Sequence, residues 1–194
     1  MRVIAGIARS VPLIAPKGKE TRPTTDKIKE TLFNILQFDV PGCLFVDLFA
    51  GSGAIGIEAL SRGAERCLFA DNSREAVECI TKNVEKCHFE DKASILRTEA
   101  MAAVSRLKLM QRDDEDMVVF LDPPYDRGLE YPVIRALANQ KLLRACDTLI
   151  LEKSLEKKSD EELMEEISEL GLEIYKEKPY KNQKHVFIRL KGDE

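Results

Sequence analysis

The stretch "VDLFAGSGAIG", Val46 to Gly56, decides the fold. Apolar, strand-forming residues run into a loop carrying Gly51, Gly53 and Gly56, and an apolar segment of helical character, "AIGIEALSRG", follows at once. Strand, G-x-G-x-x-G loop and helix in that order form the nucleotide-handling corner of a doubly wound sheet. The spacing alone is a weak signal. Asp71 strengthens it, because it lies 20 residues after Gly51 at the end of the next predicted strand, "RCLFA", where a carboxylate can accept from a ribose diol. The alternative is a tight loop followed by a helix that Asp71 or Ser73 merely caps.

Working outward, strands and helices alternate. "CLFVDLF", "RCLFA", "ASILR", "MVVFL" and "DTLILE" read as strands, and "SREAVECITKNVEKC", "AMAAVSRLKLM" and "LEYPVIRALANQ" as the helices between them. Alternation of this kind predicts a parallel sheet with crossover helices. Upstream, "RPTTDKIKETLFNIL" predicts a helix with Thr24 or Thr25 as N-cap and Ile28, Leu32, Ile35 and Leu36 on one face. Downstream, a capping box from Ser159 to Glu162 opens a further helix, and "LEIYKEK" and "HVFIRL" close the chain as an antiparallel pair.

Asp47 separates the possible cofactors. A pyrophosphate is bound by a helix N-terminus and cationic or neutral groups, so a carboxylate four residues before the first glycine opposes it. An amino acid's ammonium is attracted instead. S-adenosylmethionine has a ribose, an adenine, an ammonium and a sulfonium, and no phosphate, which makes it the expected cofactor ahead of a nicotinamide or flavin dinucleotide. The alternative for Asp47 is a structural acid bonding the loop amides. Glu99 and Ala100, after the third strand, are candidate adenine contacts, with Glu99 alternatively a first-turn acid favoured by its helix dipole.

The run "VVFLDPPYD", Val118 to Asp126, ends a buried-type strand on an acid, two prolines and an aromatic ring. Proline fixes its own φ and restricts the residue before it, so Asp122, Pro123 and Pro124 are held extended. In a doubly wound sheet this fourth strand lies beside the first across the switch point where ligands bind. An exocyclic amine of a nucleobase is a poor nucleophile because its lone pair is delocalised into the ring. The Asp122 carboxylate and the Pro123 carbonyl are two acceptors able to bind both amine hydrogens, and Tyr125 can stack on an extruded base.

Composition limits the alternatives. A length of 194 residues suits one α/β domain, residues 1–194, divided into a basic arm (1–22) and a catalytic core (23–194). Residues 1–29 hold seven basic side chains against two acidic ones, a net of +5 that leaves −9 on the rest of a chain of formal net charge −4. A local anionic contact is expected from this asymmetry, not a wholly basic surface. The arm itself, "RVIAGIA" and "VPLIA", reads as a β-hairpin. Five scattered cysteines without a C-x-x-C pair, and only two histidines, predict neither a disulfide framework nor a metal site. No signal core or membrane-length apolar run is present, so a cytoplasmic protein is expected.

The motifs "VDLFAGSG" and "DPPY" resemble the class I S-adenosylmethionine-dependent methyltransferases. Joined to "RVIAGIARSVPL", "RPTTDKIKETLFNIL", "FADNS" and "FLDPPYDRG", they resemble the RsmD-type family of bacterial 16S ribosomal RNA guanine-N2-methyltransferases over nearly the whole chain. The resemblance implies a Rossmann-like, mostly parallel seven-stranded sheet with an antiparallel C-terminal strand. It assigns Asp47, Phe49, Gly51, Gly53, Asp71 and Ala100 to the cofactor, with Ser52, Asn72 and Glu99 as further candidates beside them. Asp122, Pro123, Pro124 and Tyr125 go to the target base and Arg22 to the ligand side, while Arg2 and Arg9 of the basic arm, with Arg22, are the expected RNA contacts. The implied partner is 16S ribosomal RNA in an assembling small subunit, with no membrane and no metal. The sequence departs from the family in "YKNQ", where Lys181 and Gln183 replace the Gly and Thr of a Tyr-Gly-x-Thr pattern, and in "IAGIARS", which lacks a Gly-Gly pair. Competing readings are an adenine-N6 DNA methyltransferase, which usually carries an added target-recognition segment, and a catalytically idle RNA-binding assembly factor.

Overall fold

A computed structural model describes residues 1–16, 25–124, 127–155 and 161–192. Its sheet has seven strands: β1 (Leu44–Asp47), β2 (Arg66–Asp71), β3 (Ala93–Arg97), β4 (Met117–Leu121), β5 (Thr148–Ser154), β6 (Leu172–Pro179) and β7 (Gln183–Leu190). Their order across the sheet is β3-β2-β1-β4-β5-β7-β6. β1 to β5 pair in parallel, and β7 runs antiparallel to both β5 and β6. The helices are α1 (Asp26–Ile35), α2 (Ala54–Ser61), α3 (Arg74–Cys87), α4 (Ala100–Met110), α5 (Glu130–Asn139) and α6 (Glu161–Glu169). The predicted alternation and the final antiparallel pair are therefore observed. The Ser159 cap lies outside the described residues.

Side chains alternate across the central strands and divide the core in two. Phe45, Phe69, Val118, Phe120 and Phe187 pack on one face with Leu32, Phe33, Leu36 and Ile57. Leu44, Val46, Val119, Leu121 and Leu151 pack on the other with Val104, Leu107, Ile134 and Leu137. Burial at about 25 cal/mol per Å² of apolar surface drives both faces together. Strand order reverses between β1 and β4, whose neighbours lie on opposite sides, so β1 and β4 flank the switch point. Among the described residues no helix is long and apolar enough to cross a membrane.

Two details of the amino-terminal region differ from expectation. The two pieces of the arm do meet antiparallel, but at a single Arg2–Pro12 bridge and without forming strands. The cause is competition for backbone donors. The amides of Ile4 and Ala5 donate to the Glu58 carboxylate at 2.7 and 3.0 Å, and Ala8 donates to Ser61 Oγ at 3.0 Å. Val3, Ala8 and Leu13 are buried, so this segment is docked on α2 instead of standing free.

The second difference concerns Lys29, which belongs to the basic charge of residues 1–29 yet is buried. Its ammonium lies 3.2 Å from Glu58 and donates to the Arg2 carbonyl at 2.7 Å. The buried residues of α1 are Lys29, Leu32 and Phe33, with Leu36 at its cap, so the predicted Leu32 and Leu36 are buried while Ile28 and Ile35 are half-buried at the edge of the stripe. Thr25 is the N-cap, accepting from the Ile28 amide.

Candidate active site

The glycine loop follows β1 and turns with Gly51 at φ 55° and Gly53 at φ 77°, a left-handed conformation that glycine adopts without strain. Gly56 is required for a different reason. A Cβ there would lie 2.3 Å from the Phe69 ring and 2.6 Å from Cys67 Sγ, so only glycine lets α2 approach the sheet this closely. All eight residues of α2 are buried between the sheet and the docked arm.

Asp47 ends β1 and is buried, with Oδ2 accepting from the Gly56 amide at 3.3 Å. Burial pushes its carboxyl up to about 7, opposed by the Gly56 and Phe49 amides and reinforced by the charge of Asp71. Asp71 joins two elements. Its Oδ2 accepts from the Gly51 amide at 2.9 Å and its Oδ1 from the Ser73 amide at 2.8 Å. Ser73 in turn caps α3 through the Ala76 amide. The capping alternative raised by the sequence is thus present, and each Asp71 oxygen keeps acceptor capacity beyond its one backbone bond.

Asn72 and Glu99 are exposed and joined across the ends of β2 and β3, with Asn72 Nδ2 donating to Glu99 Oε1 at 2.8 Å. Glu99 occupies the N-cap position of α4 without bonding a helix amide, and Ala100 behind it is buried. Phe49 is half-buried against the second core face. Asp47, Phe49, Gly51, Ser52, Gly53, Asp71, Asn72, Glu99 and Ala100 therefore line the carboxyl ends of β1, β2 and β3.

Beside them β4 ends at Leu121, followed by half-buried Asp122, buried Pro123 and exposed Pro124. Asp47 pairs with Phe120, which places Asp122 two residues beyond on the same face. Burial raises the Asp122 carboxyl well above the usual range, and the charges of Glu152 and Asp47 add to that effect. Tyr125 and Arg22 lie outside the described residues. Arg9 is exposed on the docked segment, and exposed Arg2 is bonded to Asp26 at 3.1 Å. Met1 Sδ meets Ser52 Oγ at 3.7 Å, so the segment begins beside the glycine loop.

Four residues near this site escaped the sequence reading. Asn83 donates to the carbonyls of Ser52 and Ile14 and accepts from the Ile14 amide, clipping the loop to the amino-terminal segment. Its signal is a polar residue in the buried stripe of α3. The others, Glu152, His185 and Tyr180, form a hydrogen-bonded row on β5 and β7 and in the turn between β6 and β7. A histidine inside the apolar run "HVFIRL" was the available signal. Elsewhere, Asp116, Cys146 and Asp147 bring three metal-ligand-type atoms within 4.8 Å of one another. The Asp147 carboxylate there is already engaged by the Met117 and Arg144 amides.

Comparison with known proteins agrees with this geometry. The Bacillus subtilis protein YlbH is 40% identical over 125 residues, 64% of this chain and 67% of that protein. The Escherichia coli K12 protein named ribosomal RNA small subunit methyltransferase D is 33% identical over 156 residues, 80% of this chain and 76% of that one. The solved structure of Escherichia coli yhhF superposes with a TM-score of 0.77 at 27% identity, covering 100% of this chain and 99% of that one. The family model described as Conserved hypothetical protein 95 matches residues 1–189. With the glycine loop, the strand-end acids and the Asp-Pro-Pro turn gathered at one switch point, the chain belongs to that family, the RsmD-type ribosomal RNA methyltransferases.

Proposed function

We propose that the protein transfers a methyl group from S-adenosylmethionine to the exocyclic N2 of a guanosine in 16S ribosomal RNA. The observation that carries this reading is the position of Asp122, at the end of β4 directly beside the glycine loop of β1. The residues present fit the cofactor: Asp47 and Asp71 bring carboxylates to the glycine loop and Glu99 adds a third at the end of β3, a set suited to an ammonium, a sulfonium and a ribose and unsuited to a pyrophosphate. Asp71 would hold the ribose, Asp47 the ammonium side, and Phe49, Gly51, Ser52, Gly53, Asn72, Glu99 and Ala100 the remaining surface. When bound, the cofactor supplies an electrophilic methyl group.

The chain's own part is positioning and electrostatics. Asp122 and the Pro123 carbonyl accept the two amine hydrogens, which turns the nitrogen lone pair toward the electrophile. Buried Pro123 and the strand behind it hold these acceptors against rotation. Tyr125 stacks on the extruded base, and Arg2, Arg9 and Arg22 contact the RNA backbone. The Escherichia coli relative is named for the small-subunit ribosomal RNA, and the same substrate, within an assembling subunit in the cytoplasm, is the partner we assign here. Mass spectrometry of ribosomal RNA nucleosides from cells with and without the gene tests this: N2-methylguanosine should fall by about one residue per 16S molecule on deletion, and an unchanged level would refute the assignment.

A further inference from the structure

A line of polar side chains crosses the sheet beside the active site. β4 and β5 pair with Leu121 opposite Leu151, so Asp122 and Glu152 follow side by side on one face, on strands about 4.8 Å apart. Glu152 lies opposite His185 of β7, and His185 opposite Lys178 of β6. Glu152 Oε2 is 2.9 Å from His185 Nε2, and His185 Nδ1 is 3.1 Å from the Tyr180 hydroxyl. Glu152 and His185 are both buried, and the rings of Phe120 and Phe187 meet the imidazole edge-on. Among the described residues, two acids face Asp122, Glu152 from β5 and Asp47 from β1. His185, Lys178 and Tyr180 stand beyond Glu152.

We propose that Glu152, fixed by His185 and Tyr180, is the positioning residue that makes Asp122 the proton acceptor of the reaction. This rests on the amine-methylation reading above. In that reaction one N–C bond forms and one C–S bond breaks, the electron pair staying on sulfur, and the nitrogen must give up one proton. Asp122 takes the proton and returns it to solvent when the product leaves.

The chemistry of the row explains why Asp122 is suited to this. A neighbouring carboxylate and removal from water both disfavour ionisation of an acid. Glu152 is fixed by its 2.9 Å contact with His185 Nε2, and His185 in turn by the Tyr180 hydroxyl, so the Glu152 charge acts on Asp122 from a set position. Asp122 is accordingly held well above the usual carboxylate range, by burial first and then by the charges of Glu152 and Asp47. Tyr180, pushed up to about 12 by burial and by Glu152, remains a neutral phenol that orients the imidazole. Turnover should then rise with pH through the raised Asp122 midpoint, since only the ionised carboxylate can accept a proton.

The test uses the full chain labelled with carboxyl-13C aspartate and needs no cofactor. The Asp122 resonance, identified by its loss in Asp122→Asn, is followed against pH in the parent, in Glu152→Gln and in His185→Gln. The parent midpoint should lie far above the ordinary value of about 3.9. Glu152→Gln should lower it by about one unit or more through loss of the neighbouring charge. His185→Gln should lower it as well, because Glu152 is then no longer held in place beside Asp122. With saturating cofactor, Glu152→Gln should shift the acid limb of kcat to lower pH while KM for RNA stays within about twofold. An Asp122 midpoint unmoved in either folded variant overturns the proposal, and so does a parent midpoint in the ordinary range. Failure of the guanine reading would be seen separately, as an absence of methylated guanosine with the parent protein while the resonance still shifts.

Discussion

The Gly51 amide donates to Asp71 Oδ2 at 2.9 Å, so the acid at the end of β2 holds the glycine loop that follows β1. The same carboxylate takes the Ser73 amide through its other oxygen. Asp71 therefore shapes the loop as well as offering itself to a ribose. Asp71→Ala should weaken S-adenosylmethionine binding and also lower stability, each by about 1–3 kcal/mol, because two backbone donors lose their acceptor. Calorimetry and urea unfolding check the two effects. A loss of affinity with unchanged stability would show that the loop does not depend on Asp71.

Asp47 gives a pH dependence with a definite sign. Its folded value of about 7 lies above the ordinary 3.8, so folding takes up a proton between those values. The stability it contributes is complete below about pH 4 and is lost as pH rises to about 7, at about 1.4 kcal/mol per pH unit. Asp122, shifted in the same direction, adds a slope of its own. Asp47→Asn should remove about one proton's worth of slope from unfolding free energies measured between pH 4 and 7. An undiminished slope would mean that Asp47 is not the group responsible.

The amino-terminal segment is latched by a buried cluster. Glu58 accepts from the Ile4 and Ala5 amides and pairs with Lys29 and Arg62. Glu58→Ala strands the Lys29 ammonium and two amides, and should cost about 3–5 kcal/mol. Lys29→Met should cost less, since Arg62 still neutralises Glu58 and only the Arg2 carbonyl loses a donor. Urea midpoints of the two variants decide it, and equal losses would contradict the latch.

Much of this architecture was legible because it is local. The strand–loop–helix signature at Val46–Gly56 and the alternating segments after it are carried by neighbours in sequence, and so are the Thr25 and Ser73 caps. What stayed hidden depends on pairing between distant segments. Lys29 looked like surface charge, since nothing in α1 reveals that Glu58 waits on α2. Asn83 and the Glu152–His185–Tyr180 row likewise acquire meaning only from the register of β5 with β7 and from the docking of residues 1–16 on α2 and α3.

Tyr125 is assigned to stacking, which uses the ring face and is worth about 1–3 kcal/mol per base. Tyr125→Phe should keep most single-turnover activity, and Tyr125→Ala should lose it mainly through weaker base placement. A Phe variant as inactive as the Ala variant would show that the hydroxyl matters and that stacking is the wrong role.

The central claim is that Asp122 presents a guanine amine for methylation, and one experiment addresses it directly. Parent protein and Asp122→Ala are incubated with methyl-deuterated S-adenosylmethionine and small-subunit particles from cells lacking the gene, and the 16S nucleosides are analysed by mass spectrometry. The account predicts deuterated N2-methylguanosine with the parent and a loss of about a hundredfold or more in Asp122→Ala, with RNA binding retained. Label on adenosine, or equal labelling of guanosine by both proteins, would contradict it.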